Sequence, residues 1–254
     1  MKTFIKRNIY PYIFNKVSGE LSPNGFRRIY HNHIRKCAGT SINMALIQAL
    51  GGDENTYQKL VKNKFHKIYL PKGELVGWNT AAINRSSFFY AFSHEPLHKL
   101  KIESDTFTFC FLRDPVDRVI SHFRMLKDII TEGSNHVALN NESAFAYGDF
   151  ENFLDNINRE HLEAQLFNFS ENYDVNEALL QLKTSINYIQ DISSVTKDLL
   201  PVLRDEFSLN IDYKHIRKTK TQFEPSDKQL KKLREMLTNE IDFYNQAQAY
   251  FFKR

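Results

Sequence analysis

The sequence predicts an α/β protein in which a central parallel β-sheet is flanked by helices and followed by a helical C-terminal part. Apolar segments of strand length alternate with segments of helical period along the first half of the chain, which is typical of a parallel sheet. The segment Thr106–Leu112, TFTFCFL, is almost continuously apolar, as expected of a strand that helices cover on both faces. From residue 150 onward most segments have a helical pattern.

The composition limits the class of protein. The chain has 254 residues, of which 42% are hydrophobic, 13% aromatic and 25% charged, and this balance indicates a globular rather than a disordered protein. With 9 glycines and 7 prolines, collagen-like and low-complexity chains are excluded. No linker rich in Gly, Pro or Ser interrupts the sequence, so residues 1–254 are expected to form a single domain.

The sequence predicts neither a membrane span nor a secretory signal. Its longest apolar runs, at 88–92 and 107–112, fall far short of the roughly 18 residues that a span requires. Cys37 and Cys110 cannot form a disulfide framework and are expected to be reduced thiols, so a cytoplasmic protein is expected. A formal net charge of +4 is too small to favour a nucleic-acid partner but is compatible with a local anion site.

The individual elements follow from the hydrophobic period and from breaker residues. Strands are predicted at 26–34, 65–70, 88–93, 106–112 and 186–189. Helices are predicted at 41–50, 115–130, 150–156, 161–169, 175–183, 195–207 and 225–251. Asp114 and Pro115 suit the N-cap and the first position of the helix that they precede. Residues 131–149 are rich in Gly, Ser and Asn and are expected to form a long loop.

The first chemical motif is the segment 33–41, HIRKCAGTS, which places a tight loop between the first strand and the first helix. Backbone N–H groups and the helix dipole favour an anion at such a junction, giving a P-loop-like phosphate or sulfate site. Lys36 adds a positive charge, Gly39 lets the backbone approach the anion, and Thr40 and Ser41 supply hydroxyl groups. The structural alternative is a plain helix cap beside a surface lysine.

This loop differs from the loop of ATPases. In that loop, G-x-x-x-x-G-K-[ST], the lysine follows the second glycine, whereas Lys36 precedes the single glycine here. The strand Thr106–Leu112 also ends in Arg113 rather than in a carboxylate that could hold Mg²⁺. An ATP-dependent phosphotransferase is therefore the second interpretation of the motif rather than the first.

The second motif begins where that strand ends. Arg113 closes a central strand, and ligands of open α/β sheets bind at this edge, where a guanidinium can hold a phosphate with two hydrogen bonds. Ser121 lies seven residues after Asp114 and shares its helix face, two turns further on. The structural alternative is an Arg113–Asp114 or Asp117–Arg118 ion pair and a solvated serine.

Together the motifs resemble those of the carbohydrate sulfotransferases that use 3′-phosphoadenosine-5′-phosphosulfate (PAPS), a branch that includes heparan-sulfate 2-O- and 6-O-sulfotransferases and bacterial relatives. HIRKCAGTS is similar to the family's H-[IV]-P-K-[TC]-[AG]-G-T-S. FTFCFLRDPVDRVISHF is similar to F-x-F-x-R-D-P-x-[ED]-R-x-x-S-x-[YF]. The segments FENFLDNINREHLEAQLF and NEIDFYNQAQAYF also resemble the family, so the likeness runs from His31 to Phe251. The family's proline is Arg35 here, which adds charge and freedom to the loop.

The resemblance implies a donor, an acceptor and a set of binding residues. PAPS would be the sulfuryl donor, and the acceptor would be a hydroxyl group of a carbohydrate or a similar alcohol. Arg113 and Ser121 would bind the 3′-phosphate, and residues 215–220, HIRKTK, would either fold over the nucleotide or form a solvated loop. The 5′-phosphosulfate would be held by Lys36 and by the amides of Cys37, Ala38, Gly39, Thr40 and Ser41.

Sulfuryl transfer also needs a base, for which His94 is the first candidate. It follows the strand 88–93 and is expected at the same sheet edge as Lys36 and Arg113. The 2-O branch places a histidine base after a glycine, where this chain has Ser93, and Glu95 and His98 are rival candidates. No metal is expected, because the leaving group is already a stable phosphate.

Two sequence regions are candidates for contacts with the acceptor, namely the predicted loop 131–149 and the helix around Arg159, His161 and Gln165. The third interpretation of the whole chain is a catalytically inactive protein that binds a glycan or a nucleotide. That interpretation predicts the loss of Lys36 or of a base near His94, and both residues are present.

Overall fold

The computed structural model describes residues 21–63, 67–133, 137–214 and 220–252. The strands of the described residues are β1 (Arg28–Asn32), β2 (Lys67–Leu70), β3 (Gly73–Gly77), β4 (Tyr90–Ser93), β5 (Thr106–Leu112) and β6 (Tyr188–Asp191). They form one six-stranded sheet in the order β2-β3-β4-β1-β5-β6. Neighbouring strands are parallel throughout, except that β2 and β3 form an antiparallel hairpin at one edge.

Helices cover the sheet and continue beyond it. Those before β6 are α1 (Gly39–Ala49), α2 (Glu54–Lys62), α3 (Thr80–Asn84), α4 (Pro115–Thr131), α5 (Val137–Ala146), α6 (Phe150–Asn156), α7 (Arg159–Leu162), α8 (Ala164–Phe169) and α9 (Val175–Ser185). Those after β6 are α10 (Leu200–Phe207), α11 (Asp227–Met236) and α12 (Thr238–Phe251). None of the helices within the described ranges combines the length and the apolar composition needed to cross a bilayer.

The structure confirms the predicted fold class, a mainly parallel sheet flanked by helices. Every residue of β5 is buried, as its continuous apolar sequence predicts for a strand that is covered on both faces. The main apolar core surrounds the sheet, and a second core lies among α4, α6 and α11, where Phe123, Phe153 and Leu233 are buried. Helices therefore pack against the sheet, and further helices pack against α4.

A long loop was predicted at residues 131–149, and this prediction is wrong for residues 137–146, which form α5. The sequence of α5, VALNNESAFA, gives no clear hydrophobic period, yet Glu142, Phe145 and Ala146 are buried. Phe145 contacts the ring of Phe153 on α6, with 5.8 Å between the ring centroids. Tertiary packing and the partners of one buried carboxylate, rather than local pattern, thus stabilise this helix.

Other boundaries also differ from the predictions. The sequence analysis missed β3, α2 and α3, and the predicted helix 225–251 is divided at Leu237 into α11 and α12. The strand predicted at 186–189 begins two residues later, at Tyr188. In the strand predicted at 65–70, residues 65 and 66 lie outside the described residues, and β2 begins at Lys67.

One buried ion pair joins the C-terminal helix to the rest of the molecule. Arg118 on α4 and Glu240 on α12 both have fully buried side chains, and Nε of Arg118 donates to Oε1 of Glu240 over 3.1 Å. The backbone amide of Gln165, on α8, donates to Oε2 of Glu240 over 3.0 Å. Burial raises the pKa of Glu240, and the charge of Arg118 partly opposes that shift.

Replacing Glu240 with Ala is expected to destabilise the protein strongly, because removal of one partner leaves the other charge buried and uncompensated. Such losses are typically about 3–5 kcal/mol in the free energy of unfolding. Denaturant unfolding measures the loss, and Glu235→Ala, at an exposed position two residues before the break between α11 and α12, is the matched control. Equal stabilities of the two variants would show that the pair does not hold α12 in place.

Candidate active site

The predicted functional residues follow the carboxyl ends of neighbouring parallel strands. The loop with Lys36 follows β1, His94 follows β4, and Arg113 follows β5. Strands β4, β1 and β5 are adjacent and parallel, so their carboxyl ends open at one edge of the sheet. Ligands of open α/β sheets bind at this edge.

The loop between β1 and α1 has the backbone geometry of an anion site. Lys36 and Ala38 are both left-handed, with φ of 66° and 58°, and neither is a glycine. Ala38 is the N-cap of α1 and makes no side-chain capping bond, and the first turn contains no acidic residue. The amides at the start of α1 thus receive no side-chain cap, and together with the helix dipole they favour an anion.

Two neutral histidines, His31 and His33, lie beside this loop and support it. The ring of His33 occupies the space beside the α-carbon of Gly39, so that an ideal Cβ there would lie 1.8 Å from ring atoms of His33. Asn43 lies between the two histidines: Nδ1 of His31 donates to its Oδ1 over 2.5 Å, and its Nδ2 donates to Nδ1 of His33 over 3.5 Å. Burial lowers the pKa of His31 to about 4 and that of His33 well below its ordinary value. Both rings are therefore uncharged at neutral pH, so the positive charges of the loop are those of Arg35 and Lys36.

The two motifs meet at the loop. Nη1 of Arg113 donates to the backbone oxygen of Lys36 over 3.4 Å. Gln165 fixes the backbone of Arg113 from both sides, since Oε1 accepts its N–H over 2.8 Å and Nε2 donates to its carbonyl over 2.9 Å. The guanidinium of Arg113 therefore lies beside the loop that carries Lys36.

Neither alternative ion pair of the second motif is present in the described part of the chain. The carboxylate of Asp114 caps α4 and accepts the N–H of Asp117 over 2.9 Å. Arg118 pairs with Glu240 instead of Asp117. The second arginine of the motif is thus structural, whereas the first reaches the loop.

The hydroxyl residues of the two motifs lie in different surroundings. Ser121 is buried on α4. Thr40 and Ser41 line a cavity of about 240 Å³ whose lining also includes Asp212 and Lys214. Burial raises the pKa of Tyr213, and the hydroxyl group of Ser41 partly opposes that shift.

The predicted nucleotide-covering stretch 215–220 lies mostly outside the described residues. Its last residue, Lys220, is described, and its backbone amide donates to Oδ2 of Asp128 over 2.9 Å. Nζ of Lys220 contacts Oε1 of Glu132, also on α4, over 2.9 Å. This end of the stretch is therefore attached to α4, and Lys214, the last described residue before the stretch, lines the cavity.

Among the three candidate bases, His94 contacts the loop. Its Nδ1 donates to the backbone oxygen of His33 over 2.5 Å, and because a carbonyl can only accept, the proton of the neutral ring lies on Nδ1. Nε2 then carries the lone pair that a base requires. Burial, followed by the positive charge of Arg35, lowers the pKa of His94 to about 3, so the ring is neutral at physiological pH.

The rival bases have other contacts. His98 lies on the short 3₁₀ turn Leu97–Lys99, and its ring packs against Phe167 with 5.2 Å between centroids. Glu95 is half-buried, and its backbone amide donates to Oγ of Ser93 over 3.2 Å. The described contacts connect neither side chain to the loop.

The sequence analysis missed a buried cluster behind the loop. Arg35, expected to add freedom, is instead held by an ion pair with the buried carboxylate of Glu142. Glu142 also accepts a hydrogen bond from Nε2 of His122 over 2.6 Å, and Nη1 of Arg35 donates to Nε2 of His161 over 3.1 Å. Burial alone would raise the pKa of Glu142, but its contacts with the two histidines and the charge of Arg35 hold it well below its usual value. In the sequence, the one sign of this cluster was Arg35, which stands where the family has a proline.

The residues expected to contact an acceptor mostly serve the structure. Gln165 is fully buried and holds the backbone of Arg113. Arg159 pairs with Glu163 over 2.5 Å, and its guanidinium lies 3.9 Å from the ring centroid of Tyr173. His161 belongs to the cluster around Glu142.

Comparison with known proteins identifies the family. A family model described as "Sulfotransferase family" matches residues 23–247, and the chain belongs to this family. Among solved structures, a sulfotransferase from Alicyclobacillus acidocaldarius is similar, with 14% sequence identity, a TM-score of 0.38, and coverage of 87% of this chain and 94% of that chain. No significant match to a curated protein was found.

Replacing Gly39 with Ala is expected to destabilise the loop, because the new Cβ would overlap the ring of His33 at 1.8 Å. Overpacking of this kind typically costs about 1–3 kcal/mol in the free energy of unfolding. Thermal unfolding measures the loss, and adding His33→Ala to the same chain should recover part of it by removing the clash. An unchanged melting temperature for the single variant would contradict the proposed packing.

Proposed function

We propose that this sulfotransferase transfers the sulfuryl group of PAPS to a hydroxyl group of a carbohydrate-type acceptor and releases 3′,5′-ADP. One observation supports the proposal above all others: the guanidinium of Arg113 lies against the backbone of Lys36, beside the uncapped start of α1. The cation of the second motif therefore lies against the backbone of the first motif, at one sheet edge. A nucleotide with phosphate groups at two positions can use both cations at once.

The donor is proposed to bind with its 5′-phosphosulfate on the loop. Lys36 and the amides at the start of α1 would hold that group, and Lys36 would stabilise the charge that grows on the leaving phosphate oxygen. Such electrostatic contacts are typically worth about 10²–10³ in rate. Arg113 and Ser121 are proposed to hold the 3′-phosphate, which distinguishes this donor from ATP. The residues of the loop are Cys37, Ala38, Gly39, Thr40 and Ser41.

His94 is proposed to act as the base. Its Nε2 would take the proton of the acceptor hydroxyl as the hydroxyl oxygen forms its bond to sulfur and the bond from sulfur to the phosphate oxygen breaks. The hydrogen bond from Nδ1 to the carbonyl of His33 fixes the tautomer that this step needs. Proton transfer by a positioned base is typically worth about 10²–10⁴ in rate.

Binding of 3′,5′-ADP is expected to raise the melting temperature in the presence of a chelator, whereas ATP with Mg²⁺ is expected to do so far less. The reason is that the proposed site recognises a 3′-phosphate through Arg113 and uses no metal. Thermal shift measures both effects. Lys36→Ala should abolish the shift, and Lys101→Ala, at a site 77% exposed, is the matched control. Equal shifts from both nucleotides would favour an ATP-dependent phosphotransferase.

His94→Ala is expected to lower kcat by about 10²–10⁴ and to leave the thermal shift with 3′,5′-ADP intact. His98→Ala is the parallel test of the rival base. Transfer of labelled sulfate to a panel of glycans and small alcohols measures the rate. An active His94→Ala enzyme, or an equal loss in His98→Ala, would reassign the base.

The pH profile provides an independent test of the same base. Because the pKa of His94 is about 3, the base is neutral above that pH, and kcat/KM should keep its value well below pH 6.5. The charge of Arg35 lowers this pKa, so Arg35→Gln should shift the acid limb of the profile to higher pH. An acid limb near pH 6.5 in the unchanged enzyme would contradict the assignment.

A further inference from the structure

Trp78 lies beside the proposed base and has no role in the proposed donor site. It is the residue directly after β3, and its backbone amide donates to the carbonyl of Phe92 on β4 over 2.9 Å. The two strand ends are thereby held side by side. The indole of Trp78 and the imidazole of His94 meet edge to face, with 4.5 Å between their centroids.

The backbone of Trp78 is strained. Its φ is 64°, in the left-handed region that bulky side chains rarely adopt. Strain of this kind persists only where the surrounding structure imposes it, and it clusters at functional sites. The indole is only half-buried, while its Nε1 is buried with no hydrogen-bond partner among the described residues. The indole therefore keeps part of its surface exposed, and its ring contacts that of His94.

Two charged groups that shift the pKa of His94 compensate each other. These are Arg35, which lowers it, and Glu142, which raises it, and the two are paired with each other. The other histidines near it, His31 and His33, have lowered pKa values and are neutral at physiological pH. A site built for a sulfated or carboxylated polymer would need guanidinium or ammonium groups that remain available to its anions.

We propose that Trp78 forms an acceptor subsite beside His94 and that this subsite selects an acceptor whose reacting ring is uncharged. An indole offers a large, rigid apolar surface on which the apolar face of a sugar ring can lie. The face of the indole is also electronegative, so it disfavours an anionic substituent placed over it. The inference rests on the proposed function, and it names a neutral sugar, rather than a uronate or a sulfated sugar, as the class of acceptor.

The fluorescence of the protein reports on this subsite directly, because Trp78 is the single tryptophan of the chain. Protein saturated with 3′,5′-ADP is titrated with methyl glycosides of neutral hexoses and with the methyl glycosides of the corresponding uronic acids. The neutral glycosides should change the tryptophan emission, and the glycoside concentration at half-saturation should be about tenfold lower than for the uronates. A tenfold ratio is equivalent to a difference of about 1.4 kcal/mol in the free energy of binding. Equal or tighter binding of the uronates, or no response to any neutral glycoside, would overturn the inference.

Variants separate this subsite from the donor site. Trp78→Ala should raise the acceptor KM of the best neutral glycoside about tenfold, whereas Trp78→Phe, which keeps an aromatic ring, should stay within about threefold. Both variants should keep the thermal shift with 3′,5′-ADP. Tyr69→Ala, at an aromatic residue 68% exposed on β2, is the matched control. If Trp78→Ala leaves the acceptor KM unchanged, the acceptor subsite alone is overturned. If 3′,5′-ADP does not raise the melting temperature of the wild-type protein, the proposed function is overturned, and the subsite with it.

Discussion

A single buried carboxylate, that of Glu240, connects the C-terminal helix to the proposed catalytic edge. It accepts hydrogen bonds from Arg118 and from Gln165, and the side chain of Gln165 in turn holds both backbone groups of Arg113. A buried charge is tolerated only when its partners are complete, so these contacts must form together. The position of the strand-end arginine therefore depends on a residue near the end of the chain, and this explains why the fold and the site cannot be considered separately.

The second constraint is the pairing of charge around the loop. Arg113 donates to the backbone of Lys36 beside the uncapped start of α1, and the histidines next to the loop are neutral. Arg35, in the same loop, is paired with the buried carboxylate of Glu142. An arginine in a phosphate-binding loop would ordinarily be expected to contact the anion. In the proposed function that role belongs to Lys36 and Arg113, because Arg35 already has a buried partner.

The features that depend on local pattern were predictable from the sequence. The continuous apolar run of β5, the turn before α1 and the Asp-Pro start of α4 predicted the sheet edge and the placement of Lys36, His94 and Arg113. The features that depend on tertiary partners were not. Glu142 lies in a polar segment without hydrophobic period, and its helix is stabilised by contacts with Arg35 and His122 that no local signal shows. Likewise β3, GELVG, contains two glycines and a glutamate that Lys67 neutralises, so it gave no strand signal and Trp78 was not recognised as the residue that follows it.

The central claim is that two cationic side chains from two motifs hold opposite ends of one nucleotide. A crystal structure of the protein with bound 3′,5′-ADP tests it most directly. The account predicts that the 5′-phosphate accepts hydrogen bonds from the amides at the start of α1 and from Lys36, and that the 3′-phosphate contacts Arg113. A nucleotide bound away from this loop, or one whose 3′-phosphate lies in solvent with Arg113 still on the carbonyl of Lys36, would contradict it.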